Sequence, residues 1–368
     1  MKRVIVLVSN DLSHDQRVRK TCASLLERQW EPLLVGRKLK NSVEMNRPYP
    51  FKRFKLPFER GALFYAALNL RLFFFLLFKK ADLIWANDLD TLLPAFLVSR
   101  LKGTPLYYDS HEYFTEAAGL DGRSFQKRTW EAIEGLCFPK LKMVSTVNKS
   151  IADIYTKKYG VEVKVLRNVP EAQADFVPKT RRELGLDEDK YIAILQGAFL
   201  DVDRGALEAV AAIQLLPKHF QLLIIGAGEE HEKAKFLVQE KGLEERIIIK
   251  NKLPYLELKA YTAASDLGLT LDKGLYFNYL YSLPNKIFDY VHAGIPVLAT
   301  NLPEVGRVVK EEGIGKCIEN CTAQEIAEGI ETMADLGKGP FEAAIQAAQG
   351  KFYWQEEVKV IDELLAKA

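Results

Sequence analysis

The sequence predicts an α/β protein with two doubly wound, parallel-sheet domains, and three observations predict this class. Short apolar runs alternate with amphipathic segments along the 368 residues, which is typical of parallel strands joined by crossover helices. The alternation breaks in the polar stretch 171–182 and then begins again. The length suits two domains, and a charged fraction of 27% is ordinary for a globular protein. We therefore divide the chain into residues 1–168, 169–350 and a terminal helix at 351–368.

The first domain begins with residues 3–9, an unbroken apolar run that is typical of a strand buried on both faces. Apolar residues at helical spacing between residues 18 and 26 then predict a helix. The remaining strands are predicted at residues 31–35, 83–86, 106–108, 143–146 and 161–166. Five polar residues follow strand ends, where an open parallel sheet binds ligands: Asn10, Asp11, Asp88, Asp109 and His111.

His111 is the histidine with a catalytic setting, because it follows a strand and lies between acids. A solvated loop histidine is the simpler alternative. Asp88-Leu89-Asp90 has the form of a metal-binding DxD motif, but we predict that it caps a helix at residues 91–101. No metal is expected, since the four cysteines are scattered and lack the spacing of a zinc site.

Residues 37–80 carry eleven basic residues and two acids, and they end in the apolar run 62–78. A basic segment that leads into an apolar helix is typical of binding at an anionic membrane surface. The run falls short of the about 20 apolar residues that a spanning helix needs. The alternative is a core helix from which the side chain of Arg71 reaches the surface.

Charge is divided unevenly along the chain. Residues 1–168 hold 29 Lys and Arg against 17 Asp and Glu, whereas the remainder holds 22 against 32. The basic half favours an anionic partner surface. No nucleic-acid motif accompanies it, so nucleic acid is not expected as a partner. The scattered cysteines and an N-terminus that resembles a strand rather than a signal peptide predict a cytoplasmic protein.

The second domain repeats the alternation of strands and helices. Its strands are predicted at residues 191–196, 221–225, 246–249, 267–271 and 297–300, and its helices at residues 207–216 and 257–264. Gly226 and Gly228 follow a strand without a third glycine, which predicts a tight turn that a base or ribose approaches. Arg204 opens a helix after the loop that begins at Gly197, where its guanidinium could bind a diphosphate. A surface arginine paired with a nearby aspartate is the alternative.

The stretch 283–297 predicts a short helix between a loop and a strand. Asn285 is a good N-cap, and Gly294 fits the left-handed position that closes a helix. The helix would present backbone N–H groups and a partial positive charge to a phosphate, and Lys286 would add a point charge. Asp289, one turn further on, could accept hydrogen bonds from a ribose diol. An ordinary amphipathic helix with a solvated Asp289 is the alternative.

These pieces together resemble the retaining glycosyltransferase family 4 group, whose GT-B fold has two Rossmann-like domains facing across a cleft. The most specific piece is LPNKIFDYVHAGIPVLATNLPEV at residues 283–305, which is similar to the PNK version of the family's nucleotide-binding signature. Supporting pieces are DQRVRK at 15–20, YDSHE at 108–112, RNVP at 167–170, GAFLDVDRG at 197–205 and the final helix with its FYW entry.

The resemblance implies transfer of a sugar from a nucleoside-diphosphate sugar, with UDP or GDP, to an acceptor hydroxyl with retained configuration. The implied acceptor is a glycan or a lipid-linked molecule in cell-surface polysaccharide or glycolipid synthesis, and no cofactor besides the donor is implied. The implied catalytic residues are His111, Arg204 and Lys286. The implied donor-binding residues are Gly197, Arg204, Gly226, Gly228, Leu253, Pro284, Asn285, Lys286, Ile287 and Asp289. The acceptor side would comprise Asn10, Asp11, Asp88, Asp109 and His111.

Relatives also place the final helix back against the first domain, and the basic segment suggests a peripheral position at the inner face of the membrane. The sequence departs from the family pattern at Ala198, where an arginine is common, and at Tyr281, where an acid is common. Two rival functions therefore stay open. One is a GT-B sugar-nucleotide epimerase or hydrolase, and the other is a degenerate transferase that acts as a nucleotide-binding scaffold.

Overall fold

The computed structural model describes residues 1–13, 15–117, 120, 122–171 and 176–367. The chain divides into two compact units. Unit 1 contains Met1–Asn168 together with Glu357–Ala368, and unit 2 contains Val169–Glu356. Each unit is built around a parallel sheet, so the predicted class of two parallel-sheet α/β domains is confirmed.

Unit 1 contains a sheet of seven strands. The strands are β1 (Lys2–Asp11), β2 (Trp30–Arg37), β3 (Phe51–Phe54), β4 (Leu83–Asn87), β5 (Leu106–Ser110), β6 (Met143–Thr146) and β7 (Lys164–Val165). The helices of this unit are α1 (Gln16–Glu27), α2 (Gly61–Phe78), α3 (Leu89–Lys102), α4 (Ser124–Cys137) and α5 (Lys149–Tyr159). The strands pair in the order β3-β2-β1-β4-β5-β6-β7, so the order reverses between β1 and β4.

Several strands of unit 1 differ from the prediction. β3 was not predicted, because its sequence FKRF lies inside the basic segment and is too short to show a clear alternation. β1 and β5 extend further than predicted, so Asn10, Asp11 and Asp109 belong to strands rather than to the loops behind them. Asp109 pairs in register with Ser145 of β6, whereas Asp11 pairs with Arg37 of β2 after a shift of register that follows Leu7. β7 is shorter than predicted because only Lys164 and Val165 find partners on β6.

Helix α2 buries one stripe and exposes another. Phe64, Leu68, Leu72 and Leu76 recur every four residues and are at most 4% exposed. The opposite side leaves large apolar side chains in solvent: Leu63, Leu70, Phe74 and Phe78. Among the described residues, α2 is the helix whose length and composition would allow it to cross a membrane, although the buried stripe is equally typical of a core helix.

Unit 2 contains a sheet of six strands. The strands are β8 (Tyr191–Gly197), β9 (Phe220–Gly226), β10 (Ile247–Asn251), β11 (Leu267–Thr270), β12 (Val297–Thr300) and β13 (Gly315–Ile318). The helices are α6 (Arg181–Leu184), α7 (Ala206–Leu215), α8 (Glu229–Glu240), α9 (Tyr255–Ala263), α10 (Phe277–Leu280), α11 (Lys286–Ala293), α12 (Pro303–Glu312), α13 (Ala323–Leu336) and α14 (Gly339–Lys351). The strand order is β10-β9-β8-β11-β12-β13, which reverses between β8 and β11.

Helix α11 is fixed to the sheet by its apolar face. Ile287, Phe288 and Val291 are at most 1% exposed, as the helical spacing predicted. The hydroxyl of Tyr290 lies within hydrogen-bond distance of a carbonyl of each of β8 and β11, at 3.3 Å from Ile194 and 3.0 Å from Leu269. These contacts fix the beginning of α11 against the two strands at which the order reverses.

The last helix, α15 (Trp354–Leu365), carries the chain back into unit 1. Unit 1 takes the chain from Glu357, which is six residues later than the predicted boundary at 351, because α14 extends to Lys351. Glu357 accepts hydrogen bonds from the backbone N–H of Arg167 at 2.7 Å and from its Nη1 at 2.8 Å. Arg28 of α1 donates from Nη2 to Asp362 at 2.9 Å.

Candidate active site

The reversal of strand order in unit 2 marks a place where ligands bind in open α/β sheets, beyond the carboxyl ends of the strands. β8 ends at Gly197 and β11 ends at Thr270. The loops 198–205 and 271–276 therefore leave the sheet side by side at this point. Arg204 lies on the first loop and Asp272 lies on the second.

Two basic side chains meet at the carboxylate of Asp272. Arg204 Nη1 is 2.6 Å from Asp272 Oδ1, and Lys286 Nζ is 3.6 Å from Asp272 Oδ2. The Arg204 guanidinium also lies over the ring of Tyr279, 4.5 Å from its centroid. The structure therefore brings the predicted residues Arg204 and Lys286 together, and the ion-pair partner of Arg204 is Asp272. The neighbouring Asp203 instead accepts the backbone N–H of Leu275 at 3.1 Å.

This cluster is withdrawn from water. The side chains of Asp272, Lys286 and Arg204 are 1%, 8% and 22% exposed. Burial lowers the pKa of Lys286, and the Arg204 charge lowers it further, whereas Asp272 opposes both effects. When Lys286 is protonated, two cations share one carboxylate in direct contact. These three side chains then carry one surplus positive charge at the switch point of the sheet, where the buried carboxylate of Asp203 also interacts electrostatically with Arg204.

The beginning of α11 differs from the prediction in two ways. Asn285 occupies the N-cap position but has helical angles, φ −58° and ψ −26°, and its side chain makes no capping hydrogen bond. The predicted cap is therefore wrong, because the turn that begins at Pro284 already continues into the helix. The backbone N–H of Ile287 donates to the carbonyl of Pro284 at 3.2 Å, so this predicted phosphate donor is engaged within the protein.

Asp289 is half-buried and is held by two polar neighbours. Gln196 Nε2 donates to Oδ2 at 3.1 Å, and the Tyr255 hydroxyl donates to Oδ1 at 3.1 Å. Gln196 is itself oriented by Thr262, whose hydroxyl donates to Oε1 at 2.7 Å. A carboxylate accepts hydrogen bonds from hydroxyl groups, as Asp289 does here from Tyr255, and the hydroxyls of a ribose are donors of the same kind.

The predicted glycines bring two loops of unit 2 into contact with each other. A Cβ on Gly226 would lie 2.2 Å from the carbonyl oxygen of Gly197, its partner in the sheet. Gly228 has φ +123°, and a Cβ there would lie 2.7 Å from the carbonyl oxygen of Leu200. Close approach of backbone to backbone therefore accounts for these glycines. Leu253 is half-buried in the loop before α9.

Unit 1 carries a second charged cluster at its own switch point. His111 Nδ1 is 3.3 Å from Asp88 Oδ2, and Nε2 is 3.3 Å from Asp109 Oδ2. Asn87 Oδ1 also lies 3.2 Å from Nε2, while its Nδ2 donates to the carbonyl of Leu7. In these contacts both ring nitrogens face oxygen acceptors, an arrangement that the imidazolium satisfies by donating from both nitrogens.

Arg17 completes this cluster from helix α1. Its Nε and Nη2 donate to the two oxygens of Asp109 at 3.0 and 2.7 Å, and Ser145 Oγ donates to Oδ1 at 2.7 Å. Burial would raise the pKa of Asp109, but the Arg17 charge holds it well below its usual value. Burial would lower the pKa of His111, but Asp88 and Asp109 outweigh it and raise the pKa to about 9.

Asp88 has an unusual backbone conformation, with φ 59° and ψ 163°. Its Oδ1 accepts the backbone N–H of His111 at 2.8 Å, and it makes no side-chain cap with α3. The predicted capping role of residues 88–90 is therefore wrong, and α3 begins at Leu89 rather than at residue 91. Asp90 is 4% exposed, and burial raises its pKa to about 7.

The polar residues at the end of β1 are held in contacts of their own. Asn10 Nδ2 donates to Asp15 Oδ2 at 2.8 Å, and Asp11 accepts from the hydroxyl of Ser13 at 2.8 Å. The predicted acceptor-side residues that the structure gathers into one cluster are Asp88, Asp109 and His111. Within the described residues, no set of three His, Cys, Asp or Glu side chains is placed to hold a metal ion.

Sequence reasoning missed several residues of both clusters: Arg17, Asn87, Gln196, Tyr255, Asp272 and Tyr279. Arg17 lies inside the DQRVRK piece, which was a usable signal. Asp272 follows β11 by two residues, and the rule that selected Asp88 and His111 would have selected it too. Gln196 and Tyr255 carry no such signal, because their role depends on where Asp289 lies after folding.

Three comparisons with known proteins bear on these sites. Residues 176–349 match the family described as glycosyl transferases group 1. The chitobiosyldiphosphodolichol beta-mannosyltransferase of Candida albicans is 24% identical over 202 residues, which cover 50% of this chain and 43% of that protein. The match therefore spans less than half the length of this curated relative.

The fold is similar to those of several solved structures. Sucrose-phosphate synthase from Thermosynechococcus elongatus superposes with a TM-score of 0.78 at 15% identity, covering 100% of this chain and 99% of that chain. Anabaena HepE in complex with UDP superposes with a TM-score of 0.73 at 18% identity, with complete coverage of both chains (100% and 100%). At such identities the likeness shows the fold alone, and that fold is GT-B.

Proposed function

Because residues 176–349 match the glycosyl transferases group 1 family and the chain has the predicted GT-B fold, we propose that this protein transfers a sugar from a nucleoside-diphosphate sugar to an acceptor hydroxyl. The single observation that carries this proposal is the surplus positive charge formed by Arg204, Lys286 and Asp272. It lies at the switch point of the unit 2 sheet, where this type of fold binds ligands.

The chemistry of sugar transfer explains why this charge is needed. When the bond between the sugar and the diphosphate breaks, negative charge develops on the departing phosphate. Fixed cations in a site with little water stabilise that charge without having to reorganise. Arg204 presents a planar guanidinium for phosphate oxygens, and Lys286 adds a buried ammonium at the beginning of α11.

Asp289 supplies the contact for the nucleoside. Its carboxylate is oriented by Gln196 and Tyr255, and a carboxylate is a suitable acceptor for the two hydroxyls of a ribose. We propose UDP or GDP as the nucleotide. HepE, a structural relative, has been solved with UDP and with UDP-glucose, which supports a nucleoside-diphosphate sugar as the donor class.

In unit 1, the cluster of Asp88, Asp109 and His111 suits an uncharged, hydroxyl-rich acceptor. Two cations and two carboxylates balance there, with Arg17 as the second cation. The proposed acceptor is a glycan or a lipid-linked molecule, and the proposed stereochemical course is retention. The name of the curated relative specifies a β-linked product, so the anomeric configuration of this protein's product requires direct measurement.

Turnover of a panel of UDP- and GDP-sugars tests the proposal. We expect release of the nucleoside diphosphate to accelerate when a glycan or glycolipid acceptor is added, and NMR of the product gives its anomeric configuration. An epimer or free sugar formed rapidly without acceptor would identify the epimerase or hydrolase instead. Tight nucleotide binding without turnover on any acceptor would identify the scaffold, and no nucleotide binding would contradict all three.

We further propose that unit 1 binds an anionic membrane surface, from the geometry around α2. A groove of ≈ 670 Å³ is lined by basic and apolar side chains together: Lys52, Lys55, Leu70, Arg71, Phe74, Phe75, Phe78 and Lys79. Phe78 and Phe74 are 79% and 49% exposed. Basic groups that attract acidic headgroups, combined with aromatic side chains that enter the interface, describe a peripheral membrane contact.

Vesicle flotation tests this contact. We expect the protein to float at low salt with vesicles containing one third phosphatidylglycerol but not with pure phosphatidylcholine. Each basic group near the surface contributes about 1 kcal/mol, so the double variant K52Q/K55Q should bind roughly 30-fold more weakly. The control variant K316Q changes an exposed lysine of β13 in unit 2 and should float like the wild type. A protein that stays in solution with acidic vesicles removes this proposal.

A further inference from the structure

Asp272 is an acid at the position where the proposed function places a phosphate group. Its side chain is 1% exposed, and it lies within direct reach of both cations that would bind the donor. A carboxylate repels the same phosphate oxygens that Arg204 and Lys286 attract. Its presence therefore weakens the site for every anion, and this effect needs an explanation.

The two oxygens of Asp272 are held differently. Its Oδ1 is well satisfied, at 2.6 Å from Arg204 Nη1. Its Oδ2 is buried and has no hydrogen-bond partner among the described residues, since Lys286 Nζ is 3.6 Å away. Asp203 also has one buried oxygen without a hydrogen-bond partner in the described part of the chain, so the open oxygen alone does not set Asp272 apart. What sets it apart is that its open oxygen lies next to the ammonium of Lys286, which is therefore able to turn to another anion.

The loops that carry these groups do not depend on Asp272 alone. Asp203 holds the 198–205 loop to the 271–276 loop by accepting the backbone N–H of Leu275 at 3.1 Å, and its carbonyl accepts the N–H of Lys273 at 3.0 Å. Gly205, with φ +70°, allows the backbone to approach Leu271, where a Cβ would lie 2.6 Å from the carbonyl oxygen. The arrangement of Arg204 therefore has supports that remain when the charge of Asp272 is removed.

We propose that Asp272 sets the affinity of the diphosphate site so that the nucleoside-diphosphate product leaves. The inference rests on the proposed function. The diphosphate of a donor is esterified at both ends and carries about two negative charges, whereas the free product carries about three. Two unopposed cations would hold the product more tightly than the donor. A fixed carboxylate in the same group weakens both ligands and weakens the more highly charged product most.

This assignment makes Asp272 a residue that discriminates between donor and product by charge. Its effect is electrostatic and local, so it should act on the diphosphate and leave the nucleoside contacts of Asp289 unchanged. Product release limits the turnover of many enzymes. Removal of the Asp272 charge should therefore slow steady-state turnover while it strengthens binding of the product.

Isothermal titration of the full chain tests the inference with three probes: inorganic pyrophosphate, UDP and GDP. We expect Asp272→Asn, which keeps the shape of the side chain, to bind pyrophosphate and the preferred nucleotide at least about 10-fold more tightly than the wild type. Binding of the bare nucleoside should stay within about twofold. The matched control is Asp266→Asn, because Asp266 precedes the same strand and pairs with Arg181 at 2.6 Å.

A double variant keeps the inference testable if Asp272→Asn folds poorly. D272N/K286Q removes one charge of each sign, so the net charge of the three side chains stays as it is in the wild type. It should bind pyrophosphate more tightly than K286Q alone. Equal or weaker binding in both D272N and the double variant would overturn the inference and would make Asp272 a support for Arg204. Absence of pyrophosphate and nucleotide binding in the wild type and all variants would instead overturn the proposed function on which the inference rests.

Discussion

The charged clusters of the two units differ in their balance of positive and negative contacts. In unit 1, Arg17 and His111 meet Asp88 and Asp109, so the contacts of the cluster are neutral. In unit 2, Arg204 and Lys286 share the single carboxylate of Asp272. This is the reverse of the overall composition, since residues 1–168 are the basic half of the chain and the remainder is acidic. Local charge at the strand ends, rather than the net charge of a domain, therefore indicates which ligand each sheet suits.

The largest effect is expected when a cation is removed from the cluster in unit 2. Loss of one group that stabilises developing charge costs on the order of 100-fold in rate, so Arg204→Ala and Lys286→Ala should each lower kcat by at least that factor. The matched control is Arg182→Ala, which changes an exposed arginine of α6 in the same unit. Steady-state kinetics on the active donor and acceptor measures the effect. A decrease below about threefold would separate the surplus charge from catalysis.

The next test uses the pKa of His111 in unit 1. A histidine whose folded pKa is raised from 6.5 to about 9 contributes stability that is complete below pH 6.5 and is lost as the pH rises through about 9. A difference of this size corresponds to on the order of 3 kcal/mol. We expect the free energy of unfolding to decrease from pH 6.5 to 9 in the wild type, and to change much less in His111→Gln.

Urea unfolding followed by tryptophan fluorescence suits this measurement, because Trp30, Trp85 and Trp130 lie in unit 1 and only Trp354 of the four tryptophans lies in unit 2. His292→Gln provides a control. Burial lowers the pKa of His292, so its contribution to stability is present above pH 6.5 and is lost as the pH falls below that value. This variant should keep the decrease between pH 6.5 and 9. If the free energy of unfolding of His111→Gln decreases between pH 6.5 and 9 as much as that of the wild type, the imidazolium state of His111 is contradicted.

The smallest expected effect concerns the orientation of Asp289. Tyr255→Phe removes one hydrogen bond to Oδ1, and such a bond contributes roughly 0.5–1.5 kcal/mol. We expect KM for the donor to rise between about twofold and 12-fold while kcat changes little, because the nucleoside contact is the same in the ground state and the transition state. A large decrease in kcat with an unchanged KM would place Tyr255 nearer to the reacting bond than the structure suggests.

Sequence patterns predicted most of the fold because the buried strands are long apolar runs with little ambiguity. Residues 3–9 and 221–225 are examples, and α11 appears where the spacing of Ile287, Phe288 and Val291 placed it. β3 was not predicted because this edge strand has only four residues and lies within a basic segment, where it resembles a loop. The bounds of β1 and β5 were missed because polar residues at strand ends look like loop residues.

The candidate sites were predictable where a residue follows a strand and unpredictable where its role depends on a partner far along the chain. The contact between Arg204 and Lys286 through Asp272 joins residues more than sixty positions apart in sequence. Spacing alone gave even Asn285 the wrong role, because a capping side chain is needed only where the preceding turn does not continue into the helix. Long-range ion pairs leave no periodic pattern in a sequence.

The backbone of Asp88 in unit 1 is held in a strained conformation. Angles of φ 59° and ψ 163° lie in a region that glycine alone adopts without strain, at a cost of order 1–3 kcal/mol for other residues. Glycine at this position would relieve the strain but would remove the carboxylate that accepts the backbone N–H of His111 and faces its ring. A substitution at position 88 that is designed to remove backbone strain would therefore also remove the contacts that orient the imidazole of His111.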